Sequence, residues 1–327
     1  RAGMSIGQIF ERNGEGAFRD LESEVIGELA RRDGLVIAAG GGAVLRPKNM
    51  RKLRSNGIIV NLIASPEALA ARLEGVADRP LLASSGDRAD IMGEMLTERG
   101  GHYANRDWAI DTGGIGAEAA AEKVRHIASL PVIRLCACIS GHDATSDIAT
   151  AMREGASMVE LRLDLIPGPD IESLIGCCGA PVIATDRKNP DNLRRAMSAG
   201  CDFVDVDIGR PEKDELIGLA KSRGCRTIVS VHDVEGVPDA APDKGAAEFL
   251  KIAATLNSTE DVKKLVGLHG GRDDVIIATM GDLGGLLRVF GPMLGSYLTY
   301  CYVREPTATG QLDLRAMKDI YRGMKLR

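Results

Sequence analysis

From residue 132 to residue 303 the chain repeats one pattern: a short apolar run rich in β-branched residues, an amphipathic stretch, then another apolar run. The runs are VIRLCACIS (132–140), MVELRLDLI (158–166), PVIATD (181–186), FVDVDI (203–208), RTIVSVHD (226–233), EFLKIAATL (248–256), DVIIATMG (274–281) and LTYCYV (298–303). Helical stretches such as TSDIATAMREGA, PDNLRRAMSAG, KDELIGLAKSRG and EDVKKLVGLHG separate most of them, several ending in the glycine that stops helices. Eight alternating β/α units this closely spaced predict a (β/α)8 barrel.

Successive strand residues face opposite ways, so parity shows what each face carries. Glu160, Arg162 and Asp164 share one face, opposite Leu161, Leu163 and Leu165. Asp205 and Asp207 oppose Val204, Val206 and Ile208; Ser230 and His232 oppose Val229 and Val231; Lys251 opposes Leu250 and Ile252. The apolar faces suit packing on outer helices, which sends the charged faces into the barrel. Charges there are costly unless paired or used, and barrel active sites sit at the C-terminal ends of the strands. A lone strand lysine often blunts a sheet edge, but a closed barrel has no edges.

A lysine held among apolar atoms and near other cations is expected to have a depressed pKa, giving a neutral amine that attacks a carbonyl and forms a Schiff base. His232, one strand earlier, is the natural proton carrier. The pair points to proton abstraction next to an iminium.

Composition narrows the partners. A net charge of -5, a pI near 5.7 and 3% aromatic residues argue against a nucleic-acid surface and for small polar metabolites. The seven cysteines form no C-x-x-C pair, which reads as reduced thiols in a cytoplasmic protein, and the five histidines lack ligand spacing, so no metal is expected. No run approaches the length of a membrane span, so no membrane partner is expected. Pro131 marks a break, giving domains at 1–130 and 131–327.

In order, VELRLDL, VDVDI, SVHD, LKIA, MGDLGGLLR and TATGQ resemble the motifs of type I 3-dehydroquinate dehydratase, over essentially all of 132–327. The resemblance implies a TIM barrel without a cofactor, in which Lys251 forms an imine with the ketone of 3-dehydroquinate and His232 moves the proton. It implies that Glu160, Arg162 and Arg187 bind ring hydroxyls, Arg288 binds the carboxylate, and Thr307 and Gln311 sit on a closing loop. Asp205 and Asp207 would hold the network around the catalytic pair. In DRKNPDNLRR the family's acidic position has only Asp191 as a candidate, which leaves the carboxylate partner of His232 open. A homodimer is a family expectation.

The first half carries GLVIAAGGGAVL (34–45), which reads as a buried strand running into three glycines. With GMSIGQIFERNGEGAFRDLE before it, and VNLIASPEALAARL, DRPLL and ERGGHY after it, it resembles shikimate kinase over about 3–128. By that resemblance Arg19, Arg99 and Gly40, Gly41 and Gly42 would hold shikimate, with Arg79 near phosphates. The chain contains no Gly-Lys dipeptide, so the G-x-x-x-x-G-K-[ST] loop of an ATP- and Mg-dependent kinase is missing. The expected architecture is therefore an incomplete P-loop-kinase-type parallel α/β domain, with a weakened sheet and no kinase activity in this fragment, followed by the dehydratase barrel. Alternatives are a class I aldolase-type Schiff-base enzyme and a non-catalytic shikimate-pathway binding protein.

Overall fold

The computed structural model describes residues 3–32, 34–55, 57–73, 88–104, 106–130 and 132–324. Two compact units meet at Ser129/Leu130.

In the first unit a 24-residue helix, α1 (Ile6–Leu29), starts at a Ser5/Gln8 capping box and breaks at Gly14, where φ is 79°. α2 (Pro47–Ser55), β1 (Val60–Ile63), α3 (Pro66–Arg72), α4 (Arg88–Ala104), β2 (Trp108–Asp111) and α5 (Ala117–Ala128) follow. β1 and β2 pair in parallel, Val60 opposite Trp108. The strand expected within 34–45 is absent: residues 35–40 have no regular structure, Val36 is 93% exposed, and Ala43–Leu45 make a 3-10 turn. A strand exists through its ladder, and neither β1 nor β2 offers this segment one.

The second unit has the alternation read from the sequence. Its eight main strands are β3 (Leu135–Ile139), β4 (Met158–Arg162), β5 (Val182–Thr185), β6 (Phe203–Asp207), β7 (Arg226–Asp233), β8 (Phe249–Thr255), β9 (Val275–Met280) and β10 (Thr299–Tyr302). The helices between and after them are α6 (Ala144–Glu154), α7 (Ile171–Cys177), α8 (Pro190–Ser198), α9 (Lys213–Ser222), α10 (Thr259–His269), α11 (Gly284–Phe290) and α12 (Leu314–Gly323). α10 starts at a Ser258/Asp261 capping box, and left-handed Gly155 and Gly270 stop α6 and α10, as the glycine punctuation predicts.

All pairings are parallel; they run in chain order from β3 to β9, with β10 beside β3. A two-residue strand, β11 (Leu312–Asp313), joins the other side of β10. The result is a curled nine-stranded parallel sheet with a seam, because no ladder joins β9 to β10 among the described residues. Groups outside the strands stitch that seam. Tyr297 N–H donates to the Val275 carbonyl (3.3 Å), Ile277 N–H to Ser296 Oγ (3.0 Å), and Gly281 N–H to Thr309 Oγ1 (3.3 Å). A Cβ on Gly310, whose φ is +72°, would lie 2.7 Å from the Gly281 carbonyl oxygen, so only glycine fits there. The expectation of a wall without edges therefore holds everywhere but here. β10 is short and emerges from a 3-10 turn, and Ser296 takes the amide that a longer strand would have paired.

Parity also holds. Outward residues such as Val159, Leu161, Val204 and Val206 join Ile148, Leu174, Leu193 and Leu216 of the helices in one core, while Leu250, Ile252, Leu265 and Ile277 form another. Inside the barrel, Met158, Ile183, Phe203, Ile228, Phe249, Ile276 and Leu298 make an apolar floor. Phe203 has no exposure and stacks in tilted fashion on Phe249 and Tyr297. Phe203→Ala should cost about 3–5 kcal/mol in a urea unfolding curve; a loss under ~1 kcal/mol would show that the floor does not support the barrel.

Candidate active site

One pleat above the floor residues, the same strand faces turn polar. Met158 is followed two residues on by Glu160, Ile183 by Thr185, Phe203 by Asp205, Ile228 by Ser230, Phe249 by Lys251 and Leu298 by Tyr300. Lys251, Glu160, Asp205, Ser230, Thr185 and Tyr300 are all at most 5% exposed.

Lys251 Nζ donates to Asp205 Oδ2 at 2.8 Å and to Glu160 Oε1 at 3.3 Å, and lies 4.3 Å from the centroid of the Tyr300 ring. Burial pulls the ammonium pKa down, but the Asp205 and Glu160 carboxylates outweigh burial and the net shift is upward. This corrects the expectation of a depressed lysine pKa. Parity placed the cations near Lys251, but two carboxylates are closer, so the resting side chain is an ammonium ion. Both acids are likewise displaced upward by burial and pulled below their ordinary values by Lys251.

Glu160 is fixed from three sides. Besides Lys251, Thr185 Oγ1 donates to Oε1 at 2.9 Å and the Cys138 thiol donates to Oε2 at 3.0 Å. Burial, with Glu160 beside it, holds the Cys138 thiol well above its ordinary pKa, which suits a donor. Cys138 also accepts from Gln311 Nε2 at 3.2 Å, and Gln311 Oε1 accepts from the Thr307 amide (2.7 Å) and hydroxyl (3.1 Å). The segment after β10 is thereby tied into the lysine tier.

Nearer the strand ends, His232 Nδ1 is 3.3 Å from Asp207 Oδ2. The Arg187 guanidinium lies along the imidazole, with its terminal nitrogens 2.8 Å from Nδ1 and 2.5 Å from Nε2, and 3.6 Å from Asp207. Burial, then Arg187 and Lys251, lower the His232 pKa to about 4, so the imidazole is neutral and can accept a proton. Asp191, the sequence candidate for the histidine's carboxylate, is instead exposed and pairs with Arg194 at 2.6 Å. It sits in the first turn of α8, beside Arg194 on that helix, whereas Asp207 is on the strand next to His232.

Two of the predicted substrate arginines differ in their resting partners. Arg162 is held in a fork by Asp164 at 3.0 and 2.9 Å. Arg288, on α11, is 3% exposed, and its guanidinium makes one hydrogen bond among the described residues, from Nη1 to the Tyr300 carbonyl at 3.4 Å. Its Nε has no partner, it makes no ion pair among the described residues, and burial lowers its pKa. Such a buried guanidinium fits an anionic group brought by a ligand.

In the first unit Arg19 is 8% exposed, is paired with Glu15 and Glu22 at 3.0 Å each, and lies so close to Gly42 that a Cβ there would collide with it. Tyr103 Oη donates to the Gly41 carbonyl at 3.0 Å, and Glu22 flanks Gly40. Arg19 and the three glycines thus come together. Arg99 lies on α4 with no recorded hydrogen bond to them, and Arg79 lies outside the described residues. Among the described residues no His/Cys/Asp/Glu cluster could hold a metal, and no helix is long and apolar enough to cross a membrane.

Cys138, Thr185 and Tyr300 were not singled out from the sequence, and Asp164 was placed on the inward face without a role. For the first three, the available signal was the same parity rule applied to strands with no charged residue to draw attention.

The type I 3-dehydroquinase family model matches residues 135–327, and the shikimate kinase model matches residues 1–128. The 3-dehydroquinate dehydratase of Methanothrix thermoacetophila is 32% identical over 197 residues, covering 54% of this chain and 86% of that protein. The shikimate kinase of Geobacter sulfurreducens is 47% identical over 118 residues, covering 36% of this chain; the chain spans 65% of that kinase's length. The crystal structure of the 3-dehydroquinate dehydratase from Aquifex aeolicus superposes with a TM-score of 0.52 at 23% identity, over 58% of this chain and 98% of that one, and shares its fold. Through more than half of its length this chain therefore belongs to the type I 3-dehydroquinase family, joined to an N-terminal shikimate kinase region.

Proposed function

We propose that the barrel converts 3-dehydroquinate to 3-dehydroshikimate through an imine on Lys251. The observation that carries this reading is a buried lysine set between two carboxylates, one strand from a neutral histidine and on the same inward face. Nζ must lose its proton before it attacks the ketone, and the neutral His232 imidazole takes it as Arg187 shifts off the ring nitrogen. His232 gives that proton to the carbinolamine hydroxyl, which leaves as water, and the imidazole, neutral again, removes a proton from the carbon beside the iminium. It then returns that proton to the departing hydroxyl, which leaves as a second water, and hydrolysis of the imine regenerates Lys251 and frees the product. Arg288 binds the substrate carboxylate; Glu160, Arg162 and Arg187 meet ring hydroxyls, with Thr307 and Gln311 covering them. Asp207 orients His232, Asp205 holds Lys251, and Asp191 has no part in the site.

The kinase-family region is proposed to offer a shikimate-binding surface around Arg19 and Gly40–Gly42, with Arg99 and Arg79 as further candidates. The sequence holds no Gly-Lys loop to cradle ATP, so residues present do not fit that nucleotide and no phosphoryl transfer is assigned to this chain. The barrel needs no cofactor under this reading. A cytoplasmic location and a homodimer remain proposals, the latter open to sedimentation analysis.

The deciding experiment is intact mass after incubation with 3-dehydroquinate and borohydride. Wild type should gain one reduced adduct and, untreated, should form product absorbance; Lys251→Ala should show neither. Folded wild type with no adduct and no product would favour a binding protein, and turnover of a sugar phosphate instead would favour an aldolase. His232→Ala should still be trapped as an adduct while kcat falls about 10²–10⁴-fold. Arg288→Ala should raise KM roughly 10- to 150-fold, the equivalent of about 1.5–3 kcal/mol for a charged hydrogen bond. Because the His232 imidazole is neutral above about pH 4, kcat/KM should hold from pH 7 toward pH 5 and fall near that value as the base is protonated. Arg187→Met removes a cation that opposes protonation, so this acid limb should move to higher pH; an unmoved limb would count against His232 as the base.

A further inference from the structure

We propose that Tyr300 is a positioning residue for the Schiff-base lysine, its ring face holding the positive charge on Nζ through the imine stage; this rests on the dehydratase reading above. Lys251 Nζ is 4.3 Å from the Tyr300 ring centroid, within the range of a cation–π contact. Tyr300 is 3% exposed and its phenolic oxygen has no hydrogen-bond partner, so the hydroxyl does not explain the residue's place. The ring does: it packs in the interior cluster with Cys136, Cys138 and Leu298, and presents its face to the ammonium.

The contact matters because Lys251 changes partners during the reaction. An ammonium has three protons to donate, and Asp205 and Glu160 accept two of them. A protonated imine keeps the charge but has only one N–H, so it must give up at least one of those bonds. A ring quadrupole needs no proton and attracts the cation equally in both forms. The same residue also reaches the other end of the site, because its carbonyl accepts from Arg288 Nη1 at 3.4 Å and Thr299 Oγ1 beside it donates to the Arg288 carbonyl at 2.8 Å. Tyr300 thereby fixes the spacing between the nitrogen that takes the ketone and the guanidinium proposed for the carboxylate. Its ring favours substrates whose reacting centre becomes cationic on the lysine.

The test replaces Tyr300 in the full chain with phenylalanine, and then with phenylalanines carrying one, two and three ring fluorines. These keep the ring's shape while draining its negative face. Phenylalanine should retain wild-type turnover within about two-fold, since the hydroxyl has no partner. Across the fluorine series, kcat and the fraction of chain trapped by borohydride should fall stepwise, to about one tenth at three fluorines. Thermal melting of each variant separates this from loss of fold. A flat series in folded protein, or a phenylalanine variant as impaired as the trifluorinated one, would overturn the proposal. A wild-type control that forms no adduct would instead remove the dehydratase reading itself.

Discussion

The ion cluster of Lys251, Asp205 and Glu160 constrains the rest of the barrel. Three charged side chains, each at most 5% exposed, survive inside a protein only while all three are present, because losing one leaves an uncompensated buried charge worth several kcal/mol. The cluster also explains its neighbours. The Cys138 thiol takes the Glu160 oxygen that Lys251 leaves free, Thr185 shares the other oxygen with the lysine, and the apolar floor closes the tier from below. The lysine is therefore held still as an ammonium ion. A pocket with a neutral amine at rest would need no such arrangement, but would leave two facing carboxylates without a cation.

The arginines of the site divide along similar lines. Arg162 is forked onto Asp164. Arg187 lies against His232 and, after burial, does most to lower the pKa of the imidazole. Only Arg288 is buried without an acidic partner among the described residues. One guanidinium rests in an ion pair, one lies against a histidine and lowers its pKa, and one is buried with no acid beside it, although all three are the same side chain.

Much of this was legible because period-two alternation is a strong signal: it placed Glu160, Asp205, His232 and Lys251 on one inward surface before any coordinates. What it lacked was distance. Parity could not say that two acids rather than the arginines lie against Lys251, so the direction of its pKa shift was misread. Nor could it tell that Asp191, close to Arg187 in sequence, belongs to a helix turn facing Arg194. The glycines that stop α6 and α10 were readable because a left-handed residue is a local matter. The strand expected within 34–45 was not, because a strand depends on a neighbour that apolar composition does not supply.

The stitching of the seam has a further consequence. Thr309 and Gly310 close the gap between β9 and β10, while Thr307 and Gln311 on either side reach into the lysine tier. The seam's stitch and the tie to the lysine tier are one continuous piece of chain, anchored at its far side by Arg304 on Asp147 at 2.9 Å. A segment so placed cannot swing as a free flap. Displacing it would break the contacts that bridge β9 and β10.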